Sequence, residues 1–318
     1  DGYMAETFFI DGTAHNADSF GETKNGIWVP KNVTSSNFTM GTNGWHLTFE
    51  DDSTVEAFNT LLHQGNGGTQ SITGAGFSPD FVWSKARSGD TVGGHLLFDS
   101  VRGATKYLQS NSTGAEATDT TMLTSFDSDG FTLGSSQYIN DSGNEKYVAW
   151  CWDAGANNAS TGHSSVTYEG SGSAQDIQSL PFTPDLVWIK SRSTSTANHH
   201  LHDSVRGFSE RLIANTTDAE GTNTSLPTFL KNGFRVTGSG GSYNANGVDY
   251  VAWCWDAGDN DPASNSDGTI TSTVKTNGDF SIISYQGTMA DANIGHGLSS
   301  APDMIIIKNR NRSAGTNW

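Results

Sequence analysis

Several clusters in the sequence hold the residue types from which catalytic and metal sites are built. The pentapeptide Asp-Ser-Val-Arg-Gly occurs at 99–103 and again at 203–207, so Asp99 with Arg102, and Asp203 with Arg206, recur at one spacing. Such a pair can take part in catalysis, and it can equally fix a loop through a charge-assisted hydrogen bond. His199, His200 and His202 lie together in HHLHD. On a strand His200 and His202 share one face and His199 takes the other, whereas zinc requires three or four convergent ligands. The first copy of this stretch reads HLLFD, with Leu96 and Phe98 at the places of His200 and His202. Positions that accept Leu and Phe are packing positions. Asp127 and Asp129 in DSDG suggest a calcium loop, but Leu123, Ser125 and Ser136 stand where an EF-hand needs acids. The second copy keeps the turn as Lys231-Asn232-Gly233 and loses the carboxylates.

Glycoside hydrolysis needs two carboxylates facing each other across a cleft. The acids shared by both copies are those of Pro-Asp, DSVRG and WDAG, and each adjoins a strand or turn that explains it locally. Trp83 and Trp188 share a position that could stack on a sugar. A related segment near the C-terminus carries Ile306 there, which favours core filling. There is no P-loop, dinucleotide fingerprint, CxxC or HExxH. The sequence therefore assigns no catalytic, cofactor-binding or metal-binding residue.

The elements that hold these residues form a repeat. YVAWCWDAG appears at 147–155 and, unchanged, at 250–258. With that anchor, GFSPDFVWSKARS (76–88) aligns with FTPDLVWIKSRS (182–193), and HLLFDSVRGATKYLQSNST (95–113) with HHLHDSVRGFSERLIANTT (199–217). SFDSDGFTLG (125–134) aligns with FLKNGFRVTG (229–238). A third, incomplete copy follows. FSIISYQG (280–287) parallels SSVTYEGSG (164–172), and APDMIIIKNRNRS (301–313) parallels TPDLVWIKSRS. Turn formers alternate with short β-branched and aromatic runs, the pattern of an all-β protein. GFTL and GFRV read as strands entered through the hairpin-type dipeptides Asp129-Gly130 and Asn232-Gly233. YVAWCW is apolar at every position, as a strand buried on both faces must be. Tyr147, Ala149 and Cys151 would face one layer, and Val148, Trp150 and Trp152 the other. The stretch SERLIANTT after the second DSVRG reads as the one helical piece.

Composition narrows the function. With 17 basic against 34 acidic residues, net −17, the chain lacks the basic clusters that nucleic-acid phosphates require. No run approaches the roughly 18–20 apolar residues of a membrane helix, so no membrane insertion is expected. The opening DGYMAETFFIDG reads as a strand entering a turn rather than as a signal peptide. Cys151 and Cys254 occupy equivalent interior positions of the two repeats, a geometry unsuited to bridging. Both are expected as buried free thiols, in keeping with assembly in a reducing cytoplasm. Sequons at Asn32, Asn111 and Asn215 are frequent enough by chance in a chain this rich in Asn, Ser and Thr.

FSPDFVWSKARS…HLLFDSVRGATKYL…SFDSDGFTLG…YVAWCWDAG resembles a module of tail-fibre and other virion proteins of tailed bacteriophages, notably marine and cyanobacterial ones. GHGLSSAPDMIIIKNRNRS…NW resembles a variant of it. DGYMAETFFIDGTAHNADSFGE…GIWVPK resembles the C-terminal end of a concanavalin/laminin-G-like sandwich that precedes such modules. The expected fold is all-β: tandem β-sandwich modules behind an incomplete jelly-roll-like N-terminal segment. The expected divisions are 1–60 for that segment, 61–160 and 161–264 for the two modules, and 265–318 for a linker and the incomplete third copy. The resemblance implies a virion structural protein, foremost a tail-fibre or appendage subunit attaching to the host surface. It implies assembly in the host cytoplasm, other virion proteins as partners, a homo-oligomer of the trimeric kind common in fibres, and a host-surface glycan or protein as receptor. No nucleic acid, cofactor or enzymatic activity is implied. Capsid fibre, decoration or collar protein is the alternative, ahead of a polysaccharide depolymerase or a bacterial surface adhesin. Recognition is expected in the polar segments 88–94, 135–146, 194–198 and 239–249, carried as loops on a rigid frame.

Overall fold

The computed structural model describes residues 7–24, 27–31, 33, 37–47, 57–89, 93–155 and 162–312. The chain divides into two compact units, Asp1–Val55 and Glu56–Trp318.

In the first unit, Thr7–Phe9 pairs antiparallel with Trp45–Leu47, and Gly21–Lys24 with Ile27–Pro30. Phe8, Phe20 and Phe38 form its aromatic centre, with ring centroids 5.0–5.5 Å apart. His46 stacks on Phe8 at 3.9 Å. These short ladders are the β fragment expected of an incomplete sandwich.

The second unit holds the repeats. Each module packs a six-stranded antiparallel sheet against a three-stranded one. The large sheet of the first module runs, in spatial order, Ala117–Thr118, Lys106–Gln109, Leu96–Asp99, Phe81–Ala86, Lys146–Trp152, Phe58–Gln64. That of the second runs Gly221–Thr222, Gly207–Ile213, His200–Asp203, Leu186–Ser191, Asp249–Trp255, His163–Glu169. The small sheets are formed by Leu123–Asp127, Gly130–Leu133 and Gln70–Thr73, and by Thr228–Leu230, Gly233–Val236 and Gln175–Ile177. The two topologies are the same, strand for strand.

The core between the sheets of the first module gathers Val82, Leu96, Phe98, Ala149 and Cys151 from the large sheet and Ile72, Leu123, Phe131 and Leu133 from the small one. Val187, Ile189, Tyr250, Ala252 and Cys254 repeat the pattern against Ile177, Phe229, Phe234 and Val236. The alternation along YVAWCW is therefore as expected, with Ala149 and Cys151 on the inner face of their sandwich. Both cysteines are free and buried, and burial alone pushes the Cys151 thiol up to about 12.

The first strand of the first module, Phe58–Gln64, pairs along its length with Lys146–Trp152. That module thus begins ahead of residue 61, and the division at 60 cuts a strand. The signal was present: FNTLLHQG (58–65) occupies the place of HSSVTYEG (163–170), but the aromatic-to-His exchange at its head hides the likeness. The expected helix over SERLIANTT is absent. Gly207–Ile213 is a strand instead, hydrogen-bonded to His200–Asp203 on one side and Gly221–Thr222 on the other. Sheet pairing on both edges overrides a weak local preference. Among the described residues of the repeats, the one helical turn lies at Gln137–Asn140.

In the third copy, Ala263–Asn265, Ser272–Thr276 and Ser281–Tyr285 form a small antiparallel sheet. The division at 264 falls within the first of these strands. Residues 301–312, aligned with the central strand Leu186–Ser191, form no strand, and Ile305, Ile306 and Ile307 are exposed. Among the described residues none pairs with this segment in a ladder.

The hairpins of the small sheets differ from the expected dipeptides by one residue. Asp127 pairs with Gly130, and Leu230 with Gly233, so the tight turns are Ser128-Asp129 and Lys231-Asn232. The glycines open the following strands, at φ of 145° and 155°. A Cβ at Gly233 would sit 1.7 Å from the Ile177 carbonyl oxygen, and one at Gly130 would sit 2.0 Å from that of Ile72. Glycine is required because a neighbouring strand passes through the space a side chain would fill. Gly233→Ala is expected to lower stability by more than about 1 kcal/mol, read from the urea midpoint at unchanged slope. An unchanged midpoint would show that the strand can shift aside.

Candidate functional site

The residues with chemical potential converge on the seam between the two modules. The second face of each large sheet, carrying the other half of the YVAWCW alternation, turns toward its neighbour. Phe81, Leu97 and Leu108 of the first module pack with Trp188, Leu201, Val251, Trp253 and Trp255 of the second in one shared core. Phe81 stacks on Trp253 at 5.3 Å, and Trp83 meets Trp188 edge to face at 5.6 Å. Aromatic pairs in such geometries add about 0.5–1.5 kcal/mol each beyond the area they bury. Trp83 and Trp188 are thus core-filling residues, each donating its indole N–H to a histidine of the next strand, His95 or His199, at 3.0 Å.

Around this core lies a relay of charges built on DSVRG. The backbone N–H and Nε of Arg102 both donate to Asp99, at 2.9 and 2.6 Å, and its Nη2 donates to the Leu97 carbonyl at 3.0 Å. Asp99, fully buried, also accepts the indole N–H of Trp253 from the second module at 2.9 Å. The Arg102 guanidinium lies 5.5 Å from that indole's centre. Arg102 Nη1 reaches Glu116 at 3.4 Å, and Glu116 receives a two-pronged contact from Arg192 of the second module at 2.8 and 3.0 Å. The Glu116 N–H donates to the Arg192 carbonyl as well, at 2.8 Å. Burial pushes the Glu116 carboxyl up, but the Arg192 hydrogen bonds and the charges of Arg102, Arg192 and Lys106 outweigh it and hold the group below the usual carboxylate range.

The second module repeats the relay. Arg206 pairs with Asp203 and reaches Glu220 at 2.9 Å. Glu220 is clasped by Arg310 of the third copy at 2.8 and 2.6 Å, with its N–H on the Arg310 carbonyl at 2.8 Å. DSVRG is therefore a pair that fixes a loop and also a socket for the next repeat. Glu116, Glu220, Arg192 and Arg310 escape a reading based on identical blocks. The usable signal is spacing: each Glu follows its DSVRG arginine by 14 residues.

Lys190 is fully buried at the seam and donates to the Thr113 carbonyl of the first module at 3.1 Å. Burial lowers its pKa to about 8. His163 lies between Phe81 and Trp255, at 5.6 and 4.8 Å, and burial lowers it to about 3.

The remaining candidates are placed as follows. His200 and His202 point into the second sandwich and His199 into the shared core, so the three do not converge. His202 bonds the Tyr243 hydroxyl at 2.8 Å and the Phe208 carbonyl at 2.7 Å. His200 stacks on Tyr243, and neither of its ring nitrogens has a partner. Asp129 caps the Gly74 and Gly76 N–H groups, and Asp127 accepts from Ser125 and Thr132, which is turn chemistry. Among the described residues no group of three or more His, Cys, Asp or Glu is placed to hold a metal ion. Asn111 and Asn215, read as sequons, cap the N–H groups of His95 and His199. Residues 90–92 of the segment 88–94 lie outside the described residues.

The segments 135–146 and 239–249 are fastened by residues the sequence reading missed. Asn140 donates to the Gly68 and Gly134 carbonyls at 2.6 and 2.7 Å and accepts from the Asn66 N–H. Asn244 does the same with Ser173, Gly238 and Ser171. Both are fully buried. The hydroxyls of Tyr147 and Tyr250 accept the N–H groups of Asp141 and Ala245.

Residues 53–167 and, again, residues 158–318 match the family described as Domain of unknown function (DUF7483). The chain belongs to this family. The first match opens just ahead of the strand Phe58–Gln64 and runs into the strand His163–Glu169 of the second module, where it overlaps the second match, which takes in the third copy. No curated protein and no solved structure matches the chain.

Two outcomes are expected of the DUF7483 pair, one at the seam and one inside the second sandwich. Asp99→Ala leaves Arg102 Nε and the Trp253 indole N–H buried without their acceptor, with Glu116 at 3.4 Å as the remaining anion, and should cost about 3 kcal/mol in urea unfolding. A loss below 1 kcal/mol would mean that the relay is dispensable. His200 is held near 3 by burial, while its ordinary value is 6.5. The unfolded chain therefore takes up this proton first. The stability present above pH 6.5 is lost as pH falls toward 3, by about 2 kcal/mol at pH 5. His200→Leu, which restores the residue of the first module, should flatten that acid limb when urea midpoints at pH 7 and pH 5 are compared. A limb of unchanged slope would place the acid sensitivity elsewhere.

Proposed function

We propose that this chain is a structural protein of a tailed-bacteriophage virion, a tail-fibre or appendage subunit that attaches the particle to the host surface. The observation that carries the reading is the use made of the repeated chemical groups. The Asp–Arg–Glu relays and the indoles join successive modules into one body instead of lining an open cleft. A body of that construction transmits force and holds loops in fixed relation, as an appendage requires. The sequence likeness of the repeats to phage virion modules supports the same reading. The fastened polar segments 135–146 and 239–249 offer backbone and amide groups suited to hydrogen bonding with a glycan.

The test is binding and competition. Labelled protein, shown to be folded, is added to susceptible and resistant host cells and then tested for its ability to block phage adsorption. Binding confined to susceptible cells, with adsorption blocked, is expected. A folded protein that binds neither cell type and leaves adsorption intact overturns the attachment role. Gold-labelled antibody on the capsid or collar would then assign it a decoration role, and reducing sugar released from host polysaccharide would assign it a depolymerase activity.

A further inference from the structure

The contact between modules is directional, and it is used twice in succession. Glu116 of the first module takes Arg192 of the second, and Glu220 of the second takes Arg310 of the third copy, each with the same main-chain bond. The reverse pairing, Glu220 with Arg87, does not occur. Each large sheet also uses its same face toward its neighbour, with Trp83 against Trp188 across the seam. A directional contact repeated in succession turns the chain about an axis: it closes a ring where the rotation closes and winds an open helix where it does not.

Two further observations set the number of members. Phe280, at the head of the third copy, packs into the shared core and meets Trp255 at 6.3 Å, as His163 at the head of the second module meets Trp152 at 6.4 Å. At the other end of the series, Asp303 of the third copy lines one concavity with Phe58, Asn59 and Thr60 of the first module. The third copy thus packs on the second module on one side and faces the first across a shared concavity on the other.

We infer that the repeat closes as a three-module ring, and that the edge of the first module presenting Arg87 is the docking surface for a complete third module of this same repeat. The inference is independent of the virion reading. The occupant is identified by complementarity. Arg87, Lys85 and Trp150 are the counterparts of Arg192, Lys190 and Trp253, which plug into the relay and carbonyls of the preceding module. In the first module these groups meet no such socket. Trp150 is half-buried where Trp253 is fully buried, and Lys85 bonds the Gly93 carbonyl of its own module. The complement is a DSVRG pair with its Glu, offered by a third module. The second module's socket cannot serve, because Arg310 already fills it. The same closure would cover Ile305, Ile306 and Ile307 with the ladder partners they lack.

The test extends the chain with a second copy of residues 199–258 placed after Trp318, which supplies the missing DSVRG and YVAWCWDAG strands. Arg87→Cys is combined with Glu220→Cys made only in the added block. The reference is the pair Glu116→Cys and Arg192→Cys, whose backbones already share a hydrogen bond. Both bridges are scored on dilute, monomeric protein by mass spectrometry under mild oxidation. The native thiols are buried and inert. Formation of the closing bridge to an extent comparable with the reference is the expected result. A reference bridge without the closing bridge overturns the ring. So does an added block that prevents the reference bridge, because a third module would then be incompatible with the first two.

Discussion

The whole repeat depends on one constraint: the guanidinium of Arg102, buried beneath Trp253, cannot be left unpaired. Removing such a charge from water costs several kcal/mol, and the cost is offset only where hydrogen bonds meet every donor. Asp99 answers Nε and the backbone N–H, Leu97 answers Nη2, and Glu116 answers Nη1. Glu116 then has capacity left, and the partner that fills it belongs to the next module. The requirement of one buried charge is thereby handed along the chain. The relay fixes where the next sheet lies, because Arg192 reaches Glu116 only in one register of the two faces.

The apolar part of the seam follows from the same arrangement. A sheet with a sandwich on one face and another module on the other must be apolar on both, which is why YVAWCW has no polar position. That strand carries two indole N–H groups into the seam: that of Trp253 is aimed at Asp99, and that of Trp255 has no hydrogen-bond partner. In this way the aromatic core and the charge relay hold each other in place: the indole shields the Arg102–Asp99 pair from water, and the pair satisfies the indole. Neither half would be stable at that depth without the other.

Much of this was legible in the sequence. The identical strings fixed the module, and the alternation along YVAWCW placed Ala149 and Cys151 toward one layer and Trp150 and Trp152 toward the other. Leu96 and Phe98 in the first copy correctly marked His200 and His202 as packing positions. What was hidden has a common cause. Glu116 and Glu220 lie in the aligned stretches TGAEAT (113–118) and TDAEGT (217–222), but nothing in those strings shows what they bind, so their role appears only when the modules are set against each other. Phe58 and His163 share a place but no chemistry until the structure shows both as rings tilted against a tryptophan of their own module, Trp152 or Trp255, at 4.8 Å. SERLIANTT carries helix-forming residues, and only the two neighbouring strands decide that it is extended. Local preference and block identity report on the module; they are blind to the surface between modules.

The two copies differ both inside the sandwiches and at the seam. Leu96 stands against His200 and Phe98 against His202 in the sandwich cores, and Phe81 stands against Leu186 in the shared core. The charge relay is unchanged: Asp99 and Asp203, Arg102 and Arg206, Glu116 and Glu220. A core position can exchange apolar for polar if a single neighbour adapts, as Tyr243 does by offering its hydroxyl to His202. A seam position has partners on two sheets, and a change there must be matched on both. Trp150 and Arg87 keep the residue types of Trp253 and Arg192, so the first module carries the same groups that the second uses at the seam.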